Sequence, residues 1–306
     1  MVQYSYFPGC NLKTNAKGFE ETAKAVSKIL EAELIEMPNW NCCGTVHTMT
    51  SDNMMRRIAP VRVLSRSKKH IETLPEGTLN QVVTLCSMCN STLKIVNREV
   101  RMDPDKLEKI NYQLEADDEI YEKDMEVKHF LEIIRDEISY EKLSKSVTNP
   151  LEGLKISPYY GCMLLHPDEA AIDDVEMPSV LENLVESLGA VVIDSPLFKF
   201  CCGSYHIVDE DSIVDTQVEK IVEAARSRGA NALVVACPLC AYNIDHQQKI
   251  MKDKTQTKDP LPVFYFTQLM ALALGVPMKT NHFEDHHINP KPLLKELGLS
   301  GGKKSK

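Results

Sequence analysis

The run QVVTLCSMC, residues 81–89, decides how this chain is read, because an apolar, β-rich segment stops at a Cys-x-x-Cys pair. A short apolar run bounded by a turn signal reads as a buried strand, and a strand that delivers two thiols at its carboxyl end presents metal-ligand spacing. The phrase returns as ALVVACPLC at 232–240, a shift of 151. Working outward, FPGC at 7–10 faces YYGC at 159–162, and CCG at 42–44 faces CCG at 201–203, at shifts of 152 and 159. A period of half the chain marks a duplication. Each copy carries five cysteines: Cys10, Cys42, Cys43, Cys86 and Cys89, then Cys162, Cys201, Cys202, Cys237 and Cys240.

Apolar strands are expected at Tyr4–Phe7, Gln81–Leu85, Ile156–Tyr160, Val191–Asp194 and Ala232–Ala236. Between them run amphipathic helices. Ala16, Phe19, Ala23, Val26 and Leu30 share one face, as do Val214, Val218, Ile221, Val222 and Ala225, with Gly229 as a C-terminal cap. Met54, Met55, Ile58 and Val61 read as a further core stripe. Alternating strands and helices predict an α/β fold of two tandem homologous domains, each a short parallel sheet flanked by helices, with ligands gathering beyond the carboxyl ends of the strands. Pro150 and Gly153 place the linker, giving domains 1–150 and 151–306. VKHFLEII at 127–134 resembles VFYFTQLM at 263–270, and 37 residues precede the first of these after Cys89 against 22 after Cys240. The surplus includes Glu115, Asp117, Asp118 and Glu119, which reads as a solvated excursion.

The chain has 306 residues, ample for two cores, and 43% of them are hydrophobic. A formal charge of −9 with no clustered basic face argues against nucleic acid; only Lys303, Lys304 and Lys306 of the tail are locally basic. No run approaches the length of a membrane span, and MVQYSYFPGC lacks the layout of a secretory signal, so a cytoplasmic protein is expected. Ten cysteines in such a compartment point to metal or redox chemistry rather than to structural disulfides.

Four thiolates satisfy a structural zinc ion or an ordinary iron–sulfur cubane. Each half offers five, so plain zinc and plain cubanes both leave one over. The fifth could bridge two irons, fill a second coordination site in an opened cluster, or stay free as a nucleophile; spacing does not choose. The rival of another class is a zinc-stapled scaffold without redox chemistry.

A CCG triplet with a cysteine upstream and a Cys-x-x-Cys downstream resembles the cysteine-rich CCG domain family, and two copies cover nearly the whole chain. In length and layout the chain resembles the B-type subunits of methanogen heterodisulfide reductases within that family. The resemblance implies two non-cubane [4Fe-4S] clusters, ligated by all five cysteines of each half, facing each other across the mixed disulfide of coenzymes M and B. It also implies partners: the ferredoxin-like C-type subunit and the flavin-bearing A-type subunit of the reductase, and a hydrogenase or formate dehydrogenase beyond. The alternative within the family is an electron-transfer component of a fumarate reductase, succinate dehydrogenase or lactate-oxidising complex. The 42 residues between Cys43 and Cys86, against 34 between Cys202 and Cys237, depart from the family pattern and leave the shape of the first site less defined.

His47 and His206 each follow a CCG triplet as CCGxxH and are candidate proton donors. Lys13 and Lys199, beside Cys10 and Cys201, are candidate contacts for an anionic substrate, with His166 a weaker one. Trp40, two residues before Cys42, is expected to shield a cluster from water. His282, His286 and His287 read as a solvated loop outside the site.

Overall fold

The structure, a computed structural model, describes residues 1–45, 53–255 and 260–300. His47 and the basic tail lie outside the described residues. In the first half β1 (Val2–Phe7), β2 (Ala32–Glu36), β3 (Gln81–Thr84) and β4 (Glu126–His129) form a parallel sheet in the order β2-β1-β3-β4. In the second half β5 (Lys155–Tyr159), β6 (Val191–Val192), β7 (Ala232–Val235) and β8 (Val263–Tyr265) repeat it as β6-β5-β7-β8. Both orders reverse direction between the first and third strands of the sheet, and ligands of open parallel sheets bind beyond the carboxyl ends at that reversal. Cys10 and Cys86 leave β1 and β3 there; Cys162 and Cys237 leave β5 and β7.

The first half is flanked by α1 (Lys17–Ile29), α2 (Met55–Ile71), α3 (Ser87–Met102), α4 (Pro104–Leu114), α5 (Phe130–Ile133) and α6 (Tyr140–Lys145). The second has α7 (Val180–Ser187), α8 (Asp211–Ser227), α9 (Pro238–Thr255), α10 (Phe266–Ala273) and α11 (Lys291–Glu296). The expected faces of α1 and α8 are buried, and Gly229 closes α8 at φ 94°. No described helix is long and apolar enough to cross a membrane.

Two expectations are corrected. The methionine stripe is not all core: Val61 is buried, but Met55 is 59% exposed, because α2 turns Arg57 inward to pair with Glu99. The acidic run is solvated at Glu115, Asp117 and Asp118, as expected, but not at Glu119. Glu119 is buried, and Arg62 and Arg66 grip it while Lys69 holds Asp118, so the basic face of α2 neutralises the insertion. The rest of the surplus is α4, capped by Asp103, whose side chain accepts the Lys106 N–H.

Each half lends its last helices to the other. α10 packs on α1, where Phe19 stacks on Tyr265 at 4.3 Å and the Thr22 and Thr267 hydroxyls lie 2.7 Å apart. Reciprocally, α5 and α6 pack on α7, and the Tyr140 hydroxyl donates to Val180 O at 3.1 Å. The α1 contact depends on Gly18. A Cβ there would stand 2.4 Å from Asn281 O, a backbone atom that cannot yield cheaply. Gly18→Ala is therefore expected to destabilise the chain by about 1–3 kcal/mol, read as a lower midpoint in urea denaturation.

Candidate functional site

Each half gathers its five cysteines into one nest by the same local rules. α3 and α9 begin at the Cys-x-x-Cys pairs, so Cys86, the N-cap residue of α3, and Cys237 sit at helix N-termini, where exposed N–H groups favour a thiolate. Gly9 and Gly161 turn the chain at φ 70° and 65°, and a Cβ on either would lie 3.0 Å from Cys89 Sγ or 3.2 Å from Cys240 Sγ. The CCG loops are pinned from the same helices: the Asn243 amide donates to Cys202 O at 2.6 Å, and the Thr92 hydroxyl to Thr45 O at 3.4 Å.

Within each nest three cysteines are buried, Cys43, Cys86 and Cys89 or Cys202, Cys237 and Cys240, while Cys10, Cys42 and Cys201 are exposed and Cys162 is half-buried. The outer thiol stabilises charge on the first CCG cysteine. Cys10, donating to Cys42, lowers its pKa, and Cys162 does the same for Cys201, which falls to about 6. Cys10 and Cys162 rise in return. Backbone N–H groups add to this at equivalent positions: Gly44 to Cys42, Gly203 to Cys201, Thr45 to Cys43 and Ser204 to Cys202.

The two nests meet. Ser87 donates both its N–H and its hydroxyl to Ala236 O, at 3.1 and 2.8 Å, and this sets the two Cys-x-x-Cys turns back to back. Cys86 and Cys237 are hydrogen-bonded across the junction, which raises the former and, with Cys240, lowers the latter. Met88 and Leu239, the middle residues of the two turns, line the crevices of both nests. Those crevices measure about 20 and 10 Å³. Among the described residues no group of three or more histidine, cysteine or carboxylate side chains is arranged to hold a metal ion as it stands. The sulfurs lie in contact with one another, Cys202 and Cys240 3.5 Å apart, so a group held among them requires the cysteines to rotate about χ1. The donor set itself fits an iron–sulfur group: five thiols, N–H dipoles at the first CCG cysteines, and walls of Met88, Leu239 and Tyr160.

The remaining sequence candidates are placed as follows. His206 is exposed near Cys201, whose thiol it helps to lower. Lys13 is held by Glu20 and Glu36, and Lys199 by Glu176. His166 lies 3.9 Å from Asp168, and Trp40 packs edge-on against Phe7 at 6.2 Å. The C-terminal histidines are not simply a solvated loop. His286 accepts from the Gln268 amide at 2.9 Å, and burial pushes its pKa down to about 4; His282 meets Glu21 at 2.8 Å. His282, His286 and His287 line a cavity of about 620 Å³ that also reaches Asn11, beside Cys10, and Leu239. Sequence reading passed over Met88, Leu239 and Tyr205. The available signal was that the first two are matched apolar residues inside paired ligand motifs, and Tyr205, whose hydroxyl lies 3.7 Å from Met88 Sδ, falls inside CCGxxH.

Fold and site together define a duplicated α/β protein with a five-thiol nest at each strand-order reversal. The cysteine-rich domain known as CCG matches residues 4–94 and 156–245, and the chain belongs to that family. It is 28% identical to the B-type subunit of the ferredoxin/F420H2-dependent CoB-CoM heterodisulfide reductase of Methanosarcina acetivorans, over 99% of both chains. It is also 28% identical to the 8-methylmenaquinol:fumarate reductase membrane anchor subunit of Wolinella succinogenes, over 90% of this chain and 94% of that one. A protein of Archaeoglobus profundus named for its likeness to the heterodisulfide reductase B-type subunit is 26% identical over 90% and 91% of the two chains. A solved structure of a hypothetical protein from Helicobacter pylori shares the fold at a TM-score of 0.74 and 12% identity; the match covers 94% of this chain, which spans about half, 52%, of that one. The chain is thus a member of the CCG cysteine-rich domain family, related at modest identity to the B-type subunits of heterodisulfide reductases.

One positioning residue gives a pH signature. His129, at the end of β4, is buried with Nε2 2.7 Å from Leu85 O and Nδ1 accepting the Leu131 N–H at 3.2 Å, so it is neutral with its proton on Nε2. Burial pushes its pKa from 6.5 down to about 3. The unfolded imidazole takes up a proton that the folded one refuses, so this contribution is full above pH 6.5 and lost as the pH falls toward 3. Between pH 6.5 and about 5 urea stability is expected to drop, His286 adding to the fall and Asp245, raised by burial to about 6, opposing it, and His129→Gln is expected to make that slope shallower.

Proposed function

We propose that the chain is the catalytic subunit of a heterodisulfide reductase, an iron–sulfur disulfide oxidoreductase that reduces the mixed disulfide of coenzymes M and B to two thiols. The observation that carries this reading is the back-to-back junction of two five-thiol nests at Cys86 and Cys237. All ten cysteines would hold two non-cubane [4Fe-4S] clusters, one in each half. When bound, such clusters supply single electrons, and two of them match the two electrons and two protons that a disulfide consumes.

The chain's own residues do the rest. Backbone N–H groups at Gly44, Thr45, Gly203 and Ser204 stabilise ligand thiolates, and Met88, Leu239 and Tyr160 keep water from the inner sulfurs. His206, exposed beside Cys201, is the proton donor of the second nest, and His47 takes the same part in the first by the repeat. Lys13 and Lys199 hold their carboxylate partners and contribute field to an anionic substrate rather than a free ammonium. No flavin or nucleotide motif occurs in the sequence, so electrons come from partners: a ferredoxin-like C-type subunit, fed by a flavin-bearing A-type subunit and by a hydrogenase or formate dehydrogenase. Ten free thiols suit a reducing compartment, and we place the protein in the cytoplasm.

A second reading is the electron-transfer subunit of a quinol–fumarate type complex, supported by the Wolinella relative at the same 28% identity. Anaerobic spectroscopy with iron and sulfide counting separates the readings. We expect about eight irons per chain and a spectral change on adding the mixed disulfide, with Cys86→Ser or Cys237→Ser abolishing turnover. Iron without response to the disulfide favours the second reading. Two zincs and no sulfide exclude both. Replacing His206 by Gln should alter the pH dependence of reduction; an unchanged profile removes that role.

A further inference from the structure

All ten cysteines are free thiols, and the hydrogen bonds among eight of them form one unbroken line. Cys10 is bonded to Cys42, Cys42 to Cys43, Cys43 to Cys89 and Cys89 to Cys86. Cys86 is bonded to Cys237 in the other half, Cys237 to Cys240, and Cys240 to Cys202 at 3.5 Å. The line starts at the surface, where Cys10 and Cys42 are exposed, and every later member is buried. Cys162 and Cys201 are bonded to each other beside it.

A thiol in contact with a disulfide is placed for exchange, in which one sulfur attacks another and the S–S bond moves by one position. A row of such contacts is a path. The backbone supports its central step: Ser87 and Ala236, the neighbours of Cys86 and Cys237, are joined N–H to carbonyl at 3.1 Å, which brings the two thiols together across the halves. Both are buried, so a dissolved oxidant meets Cys10 and Cys42 first.

We propose that the chain in its thiol form is a disulfide relay, in which a small-molecule disulfide is reduced at Cys10 and Cys42 and the resulting protein disulfide passes inward to rest between Cys86 and Cys237. In the first stage one outer sulfur attacks the small disulfide and releases one thiol, and the second outer sulfur displaces the other. The reagent thus gains the two electrons and two protons that the outer pair loses. Cys43 then attacks Cys42, Cys89 attacks Cys43, Cys86 attacks Cys89, and Cys237 attacks Cys86. At each step one S–S bond forms as one breaks, and the proton of the attacking thiol goes to the sulfur released. The four outer members return as thiols, and the final bond staples one half to the other. A dithiol entering at the same port reverses the sequence. This inference concerns the free thiols and does not depend on the reaction proposed above.

The full chain, reduced and free of metal, is mixed anaerobically with an equimolar amount of oxidised glutathione, quenched in acid, alkylated and digested, and its cross-linked peptides are followed by mass spectrometry. We expect the Cys43–Cys89 bond to appear first and the Cys86–Cys237 bond to accumulate after it. Cys43→Ser and Cys89→Ser each interrupt the line and are expected to slow the Cys86–Cys237 bond by at least about tenfold, whereas Cys201→Ser leaves its rate as in the wild type. Circular dichroism confirms that the variants fold, and the order of appearance in the wild type tests the relay without them. A Cys86–Cys237 bond that forms first, forms as fast in Cys43→Ser as in the wild type, or never forms overturns the relay. A chain that passes this test but takes up zinc in place of iron and sulfide keeps the relay and loses the reductase reading.

Discussion

Two backbone carbonyls govern how the halves meet. Leu85 and Ala236 are the residues just before the two Cys-x-x-Cys pairs, and at the shift of 151 they are equivalent. Ala236 O takes both donors of Ser87. The residue equivalent to Ser87 is Pro238, which has no N–H, so the reciprocal bond cannot form. A buried carbonyl left unpaired costs about 1–3 kcal/mol. His129 supplies the missing donor to Leu85 O, and Tyr265 stands at the corresponding place in the second half. The junction is thus held at these carbonyls by two bonds across the halves, both from Ser87, and by one within a half, and the sulfurs of Cys86 and Cys237 come together as a result.

The charge balance follows the same economy. An acidic chain of net charge −9 favours thiolates at Cys42 and Cys201, chiefly through the neighbouring Cys10 and Cys162 thiols and then through peptide dipoles. The nearby ammonium groups are bound elsewhere: Lys13 and Lys24 share Glu20 and Glu36. Dipoles fixed in helix starts and turns need no mobile side chain to reorganise when charge changes, which suits the cluster-holding role proposed for the nests.

The repeat, the strand ends and the helix faces were legible in the sequence because each rests on local periodicity. Of the edge strands β6 was, at Val191–Asp194, though only Val191–Val192 pair; β2 was not, because it reads AELIE and alternates with glutamates, pairing on one side only. The ligand cysteines were readable by count and spacing, whereas the partners of Lys13, Lys199 and Glu119 were not, because each lies on another element. The resemblance between VKHFLEII and VFYFTQLM proved to be a shared device: His129 N–H donates to the Glu132 carboxylate at 2.7 Å, and Tyr265 N–H to the Gln268 carbonyl oxygen at 3.0 Å, each closing a capping box where a strand turns into a helix. The large cavity draws its walls from segments 11–18, 238–245 and 263–287 and from Ile207, and no single stretch announces it.

The exchange of terminal helices has a further consequence. With α10 on α1, and α5 and α6 on α7, the surface joining the halves is self-complementary in the manner of a twofold dimer whose protomers have been joined end to end. A chain cut near Pro150 would bare Phe19 and Thr22 on one fragment and Phe266 and Thr267 on the other. The covalent link therefore fixes stoichiometry: every molecule carries one of each nest, free to diverge in sequence, and the difference between Ser87 and Pro238 shows that they have done so.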